Sequence, residues 1–436
     1  MFVCNIIFVY LVKNFERRKI MNKNLIKTLG FFFMSLSLWG CQSEEEDTNI
    51  VLKERKDIVL SRSEEEILDK SFDFAFQLFN QVNDAETEKP NWMISPLSAS
   101  YALGMMANGA DGNTLAEIKK VLEYENASMD ELNAYYKMLT ETLVDLDNST
   151  QIGIANSLWL KNGFPFKDAY VDAVESSYDA DVDYLKSSGK ESADAINRWC
   201  AEKTGNLIPK IWNKPVPDDV KILFLNALSF KGVWKNPFKK SKGKHRFMNA
   251  GGSVTEVDMM YLSGERFRYA DDGCWRVLEL PYGNEAFSMV VFLPAEGISI
   301  EHERYHLTGA DWERWNEKLY EQNAKSLDVQ LPRFEMSYYK DMIEVLKAMG
   351  IKDAFDSEKA DFSLLASDPT LVNLFEQHTY LKVDEKGTEA AAVTQGGNMD
   401  YGGGSETKFI VNKPFLYFIK EKSTNAILFM GKVTKL

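Results

Sequence analysis

The 436-residue chain is 45% hydrophobic and 12% aromatic, enough apolar material for a large core, and nothing in it is collagenous or repetitive. Its formal net charge of −14 understates its acidity, because residues 1–40 carry six Lys or Arg and a single Glu; residues 41–436 hold 45 basic against 64 acidic residues, a net −19. A field of that sign repels phosphate backbones and heparin-like polyanions, so nucleic acid is not an expected partner.

The N-terminus reads as a processing signal. Met21 to Lys27 is a basic n-region, Leu29 to Trp39 is apolar but short for a bilayer span, and Gly40-Cys41 follows. Met21 starts a complete signal by itself, so the true start is expected there or at Met1. Leu38-Trp39-Gly40-Cys41 resembles the bacterial lipobox, which implies cleavage before Cys41 and lipid on its thiol. The acidic run Gln42 to Asp47 is similar to the tag that sends such lipoproteins to the cell surface. The resemblance implies an outer-membrane lipoprotein of a Gram-negative bacterium, exposed at the surface. The expected organisation is a signal peptide over 1–40, a lipidated Cys41 with an acidic tether over 41–66, and one domain over 67–436. Cys200 and Cys274, 74 residues apart, make no disulfide framework and are expected to be free and buried.

Within the domain, Ile67, Phe72, Phe74, Ala75, Leu78 and Phe79 recur at helical spacing, and Asn91 to Pro96 breaks the pattern before an apolar helix over Ala99–Ala107. Helices dominate the first half. After Lys221 the texture turns to β-like runs: Ile222–Leu228, Trp275–Leu280, Phe287–Leu293, Leu327–Leu331, Thr379–Val383 and Ile427–Met430, several separated by turn signals such as Pro281-Tyr282-Gly283. The class is mixed α+β. One segment fits no element: Lys386–Glu406 is a run of small and polar residues without proline, and a structureless stretch of that length inside a domain is usually functional.

The ordered motifs of the chain resemble the serpin family along the whole domain. They include Asn91 with Ser95-Pro96-Leu97-Ser98, Ile196-Asn197 with Trp199, Leu225-Asn226-Ala227 through Trp234, Val277 to Tyr282, Leu331 to Phe334, Asn412 to Phe415 and Phe429-Met430-Gly431. The resemblance implies a serpin fold, about nine helices on three β-sheets with an exposed reactive-centre loop. It also implies a suicide inhibitor of serine or cysteine endopeptidases, which is not itself an enzyme, needs no cofactor or metal, and acts as a monomer forming a covalent complex with its protease.

Val383 to Thr394 matches the hinge of inhibitory serpins, with Glu385, Gly387, Thr388, Glu389, Ala390, Ala391 and Ala392 as its residues. As a strand, this segment puts Thr388, Ala390, Ala392, Thr394 and Gly396 on one face, all small, and Glu389 on the other. Such a strand slides into a sheet without overpacking and, lacking proline, donates every N–H. Counted from Glu385 in the family's way, the scissile bond follows Tyr401 and precedes Gly402, with Met399 as the alternative. Either suits a chymotrypsin-like, apolar-pocket protease. Asn91, Ser95, Ser98 and Asn226 match the family's shutter, Trp234 its breach, and Gln377, not His378, falls where the shutter histidine usually stands. Gln still donates and accepts. The stretch Ser128–Leu146 carries only Lys137 as a cation, so heparin-type activation is not expected.

Three other readings compete. His302-Glu303-Arg304-Tyr305-His306 satisfies the zinc-protease pattern H-E-x-x-H, but Gly297 before it and Thr308-Gly309 after it deny it the buried helix that pattern needs. Asp311-Trp312 to Trp315 could suggest a carbohydrate platform, though an N-capped amphipathic helix fits better. The third is a serpin fold that does not inhibit, acting as a protease substrate or a binding protein; the small-residue hinge speaks against it, and Gly396-Gly397 for it.

Overall fold

The computed structural model describes residues 51–87, 89–298, 300, 306–388 and 407–436. Cys41, Glu389 to Ala392, Met399, Tyr401 and Gly402 lie outside them. In the first helix, α1 (Arg62–Ala85), Ser61 and Glu64 close a capping box: the Ser61 side chain accepts from the Glu64 N–H, and the Glu64 carboxylate accepts from the Ser61 N–H at 2.7 Å. This helix therefore begins five residues before Ile67. The segment ahead of it, expected as a free tether, is not free over residues 51–60, which run along the domain with hydrogen bonds to distant side chains.

After β1 (Asn91–Ile94), Ser95 caps α2 (Pro96–Gly109), with proline at its first turn. This helix is buried on almost every side and forms the centre of the core. Then come α3 (Gly112–Val121), α4 (Met129–Leu143), β2 (Thr150–Leu160), α5 (Asp168–Tyr178), β3 (Ala180–Tyr184), α6 (Gly189–Lys203) and β4 (Ile222–Val233). The strand-rich half holds β5 (Lys239–Lys240), β6 (His245–Met248), β7 (Val254–Val257), β8 (Met259–Asp271), β9 (Trp275–Pro281), β10 (Phe287–Pro294), α7 (Gly309–Glu321), β11 (Lys325–Pro332), β12 (Phe334–Asp341), α8 (Ile343–Met349), β13 (Phe375–Val383), β14 (Gly387–Thr388), β15 (Lys408–Ile410), β16 (Phe415–Glu421) and β17 (Ile427–Val433). Among the described residues this makes eight α-helices and three sheets, the mixed α+β class expected.

The largest sheet has nine strands in the order β1-β17-β16-β10-β9-β8-β11-β15, with β5 added on β8. The second runs β12-β13-β14-β4-β2-β3, and β6 with β7 makes the third. In the second sheet β13 and β4 also pair directly and in parallel, from Phe375 opposite Phe224 to Tyr380 opposite Ser229. This seam and the two-residue β14 at its end define the region of interest.

Two expectations change. Cys200 is free and buried, and burial pushes its thiol up to about 12. Cys274 is free but exposed, because the turn ahead of β9 is built on the Asp272 carboxylate, which accepts from the N–H groups of Cys274 and Trp275 and leaves the thiol outside. The helix expected near Asp311 is α7, but its cap is Thr308 and Asp311 is the third residue of a capping box.

Candidate functional site

Along the core face of β13 the buried residues are Phe375, Gln377, Thr379, Leu381 and Val383. Gln377 sits opposite Asn226 of β4, and Asn226 opposite Asn156 of β2. Three amides thus form one row across the sheet beneath the start of α2. Gln377 clasps the Ser95 backbone at two points: its Oε1 accepts from the Ser95 N–H at 3.0 Å, and its Nε2 donates to the Ser95 carbonyl at 2.8 Å. The Ser98 hydroxyl donates to Asn226 Oδ1, and Asn226 Nδ2 donates in turn to Asn156 Oδ1. The row ends where Asn156 Nδ2 donates to the Tyr178 carbonyl at 2.7 Å. Every side chain in it is buried and hydrogen-bonded, the condition under which a buried polar cluster is stable.

Ser95, Ser98, Asn226 and Gln377 are therefore brought together. Asn91 is not: its side chain holds the end of the chain, accepting from the N–H groups of Thr434 and Lys435. His378 points to the opposite face, against the Tyr339 ring and 3.3 Å from Glu376. The single-residue alternation of a strand makes that difference. Asn156 was not singled out from sequence; the signal available was an asparagine inside the apolar run Ile152–Leu160.

At the far end of the seam the two-residue strand β14 lies between β13 and β4. Thr388 pairs with Val383 of β13 on one side and with Gly232 of β4 on the other, and Gly387 pairs with Val233. A tight turn precedes it, in which Asp384 and Gly387 exchange backbone hydrogen bonds and the Asp384 side chain accepts from the Lys386 N–H. Glycine is required at 387: its φ is +152°, and a Cβ would stand 2.0 Å from the Gly232 carbonyl oxygen.

Trp234 anchors this turn. Its indole N–H donates to the Asp384 carbonyl and its backbone N–H to the Lys386 carbonyl, each at 2.9 Å, while the ring stacks on Tyr282 at 4.3 Å. The Phe238 N–H donates to the Glu385 carbonyl. Glu385 pairs with Arg333 at 3.4 Å through one oxygen, and its other oxygen is buried without a partner. Arg333 was not anticipated; nothing in its local sequence marks it.

Of the zinc-protease pattern, only His306 is among the described residues. It precedes the Thr308 cap of α7 and lies 3.3 Å from Asp84, so it is not on the helix the pattern requires. Trp312 and Trp315 are buried in the core, which excludes a sugar platform on them.

A family model described as Serpin (serine protease inhibitor) matches residues 69–436. Iripin-3 of Ixodes ricinus is 34% identical over 79% of this chain and 89% of its own length. Among solved structures, the native state of a thermophilic serpin, tengpin, superposes with a TM-score of 0.76 at 30% identity, over 89% of this chain and 98% of that one. The complex of thyroxine-binding globulin with thyroxine superposes with a TM-score of 0.75 at 26% identity, over 85% and 99%.

Proposed function

From the premise that the chain belongs to the serpin family, we propose that it inhibits serine or cysteine endopeptidases by trapping the acyl-enzyme, the cleaved loop inserting between β13 and β4. The observation that carries this reading is a shared register. Across Thr388, Val383 of β13 lies level with Gly232 of β4, and the directly paired part of the seam keeps the same offset, Phe375 with Phe224. The two strands need only part sideways, without sliding, for the ladder begun at Gly387 and Thr388 to continue.

Continued in that register, Ala390 comes between Leu381 and Phe230, Ala392 between Thr379 and Leu228, Thr394 between Gln377 and Asn226, and Gly396 between Phe375 and Phe224. All eight flanking residues are buried. Side chains of one or two carbons are what those levels tolerate without overpacking, and the Thr394 hydroxyl arrives at the amide row, where it can hydrogen-bond. In this reading Glu385 and Gly387 with Trp234 form the gate, Ser95, Ser98, Asn156, Asn226 and Gln377 form the latch beneath, and an inserted strand would turn Glu389 and Ala391 outward. Insertion gains ladder hydrogen bonds and burial, which drives the distortion of the attached protease before water releases it.

Attack at Tyr401–Gly402, or after Met399, directs the inhibitor to proteases with apolar primary pockets. Mixing the protein with chymotrypsin tests this: a complex that survives SDS and a released peptide starting at Gly402 are expected. Complete loop cleavage with no complex would contradict inhibition of that protease and favour a substrate-type serpin. The leader and Leu38–Cys41 support a lipid anchor on Cys41 in the outer membrane, with the domain outside the cell. Labelled palmitate should enter the wild type and not Cys41→Ser, and protease added to intact cells should remove the domain; a domain protected on intact cells would refute surface display.

A further inference from the structure

Residues 51–60 are acidic-flanked and without periodicity, yet their backbone is gripped by side chains nearly a hundred and more residues away. Asn148 clasps it at two points, its Oδ1 accepting from the Lys53 N–H at 2.9 Å and its Nδ2 donating to the Val51 carbonyl at 2.8 Å. Asn284 Nδ2 donates to the Lys53 carbonyl at 3.3 Å and to the Leu146 carbonyl at 2.8 Å. The Lys53 ammonium pairs with Asp145. Farther along, the Ile58 N–H donates to the Ser423 hydroxyl at 2.9 Å, and Ile58 and Leu60 pack on the core.

Both receiving asparagines lead directly to the gate. Asn148 stands two residues before Thr150, which pairs with Gly232, the residue that receives Thr388. Asn284 follows Gly283, whose N–H donates at 2.7 Å to the carbonyl of Val233, the residue that receives Gly387. The two routes are fastened to each other: the Asp147 carboxylate accepts from the Asn284 N–H and from the Thr150 hydroxyl, and a Cβ on Gly283 would stand 2.0 Å from the Ser149 hydroxyl. On the other side Lys422 joins the same turn to β16, through Glu285 at 3.0 Å and the Ala286 carbonyl at 2.8 Å.

We propose that Val51–Leu60 is an intramolecular clamp that ties the hinge ends of β2 and β4 to turns of the nine-stranded sheet and so retards insertion of the uncleaved loop. The inference rests on the insertion reading above. β4 and β2 are the strands that must move aside when the seam opens, and every bond of the strap that reaches Asn148 or Asn284 opposes their displacement from the turns after β9 and β16. Its grip is on the backbone, so it depends on the receiving side chains more than on the strap's own sequence.

The test uses the soluble chain from Ser43, without the lipidated cysteine, with Asn148→Ala, with Asn284→Ala, and with Lys53→Glu alone and combined with Asp145→Lys. Uncleaved protein is incubated at 37 °C, and conversion is followed as loss of loop cleavage by chymotrypsin in material that stays monomeric. Each asparagine variant is expected to convert about five- to thirtyfold faster, the factor given by losing one to two net hydrogen bonds of about 1 kcal/mol from the closed state. The Lys53→Glu change should speed conversion less, and the charge swap should restore it. Val345→Ala, a cavity in α8, is the control: it lowers resistance to denaturant without hastening conversion. Asparagine variants that convert at the wild-type rate, or that behave like Val345→Ala, overturn the clamp. Cleaved wild type melting no higher than intact protein overturns the insertion reading instead, and the clamp with it.

Discussion

The two large sheets bury their strands in opposite ways. In the nine-stranded sheet, β9, β10, β16 and β17 are antiparallel neighbours cemented by rings: Phe292 lies 4.9 Å from Phe418 and 4.8 Å from Trp315, with Trp312 and Phe76 around Phe418. Its buried ion pair of Lys420 with Glu279 is completed by Asn316, Asn425, Ser288 and Tyr320. In the six-stranded sheet the corresponding depth at the β13–β4 seam is crossed by a row of amides, and the ladder is parallel, a pairing slightly weaker per residue. The nine-stranded sheet meets through interlocked aromatic surface, whereas the seam that the insertion proposal requires to part meets through groups able to exchange one hydrogen-bond partner for another.

The sharpest way to break the comparison is to make the seam intolerant. Ala392→Arg would force a charge between Thr379 and Leu228, and the protein should turn from inhibitor to substrate: cleavage continues, the SDS-stable complex disappears, and the melting of the intact protein is unchanged.

Next in size is the nine-stranded sheet's ion pair. Lys420→Met strands the Glu279 carboxylate in the core and should cost on the order of 3–5 kcal/mol in denaturant unfolding, much of it recovered when Glu279 is also made apolar. Burial works against the Glu279 charge, but Lys420, Lys422, Ser288 and Tyr320 outweigh it and hold its carboxyl below the ordinary glutamate value. A depressed acid contributes fully above its ordinary value and loses that contribution as pH falls through the depressed one. Wild-type stability should therefore fall on acidification below about pH 4, and more steeply than that of Glu279→Gln.

A smaller effect belongs to the latch. Asn226→Ala leaves Ser98 and Asn156 without a shared partner and should lower resistance to unfolding by about 1–3 kcal/mol while hastening seam opening. The smallest concerns pH. Gln377 does not titrate, so Gln377→His should add to seam opening a pH dependence near the imidazole value of about 6.5 that the wild type lacks. A pH-dependent wild type would show that another group controls the seam.

Much of this was legible in the sequence, for a reason the residues make plain. The core-face place of Gln377 followed from the family resemblance, and the strand's alternation, which turns His378 to the other face, is its physical reason, whereas the hinge residues Glu389 to Ala392 lie outside the described residues. What escaped depends on backbone groups or on distant partners. The strap offers carbonyls and N–H groups at Val51, Lys53 and Ile58 to side chains nearly a hundred or more residues away, and no pattern within 51–60 encodes them. Asn91 was misplaced because its motif neighbour Ser95 turns into α2, whereas Asn91 pairs in β1 with the chain's last strand. Arg333 is placed by the junction of β11 and β12, visible only once those strands are paired.

The central claim is that the seam accepts the cleaved loop in the register it already holds. The most direct measurement is the melting temperature of the protein before and after cleavage within 389–406. A dozen added ladder bonds at about 1 kcal/mol each should raise it by on the order of 10 °C in a domain of this size. A cleaved protein that melts at or below the temperature of the intact one would contradict insertion.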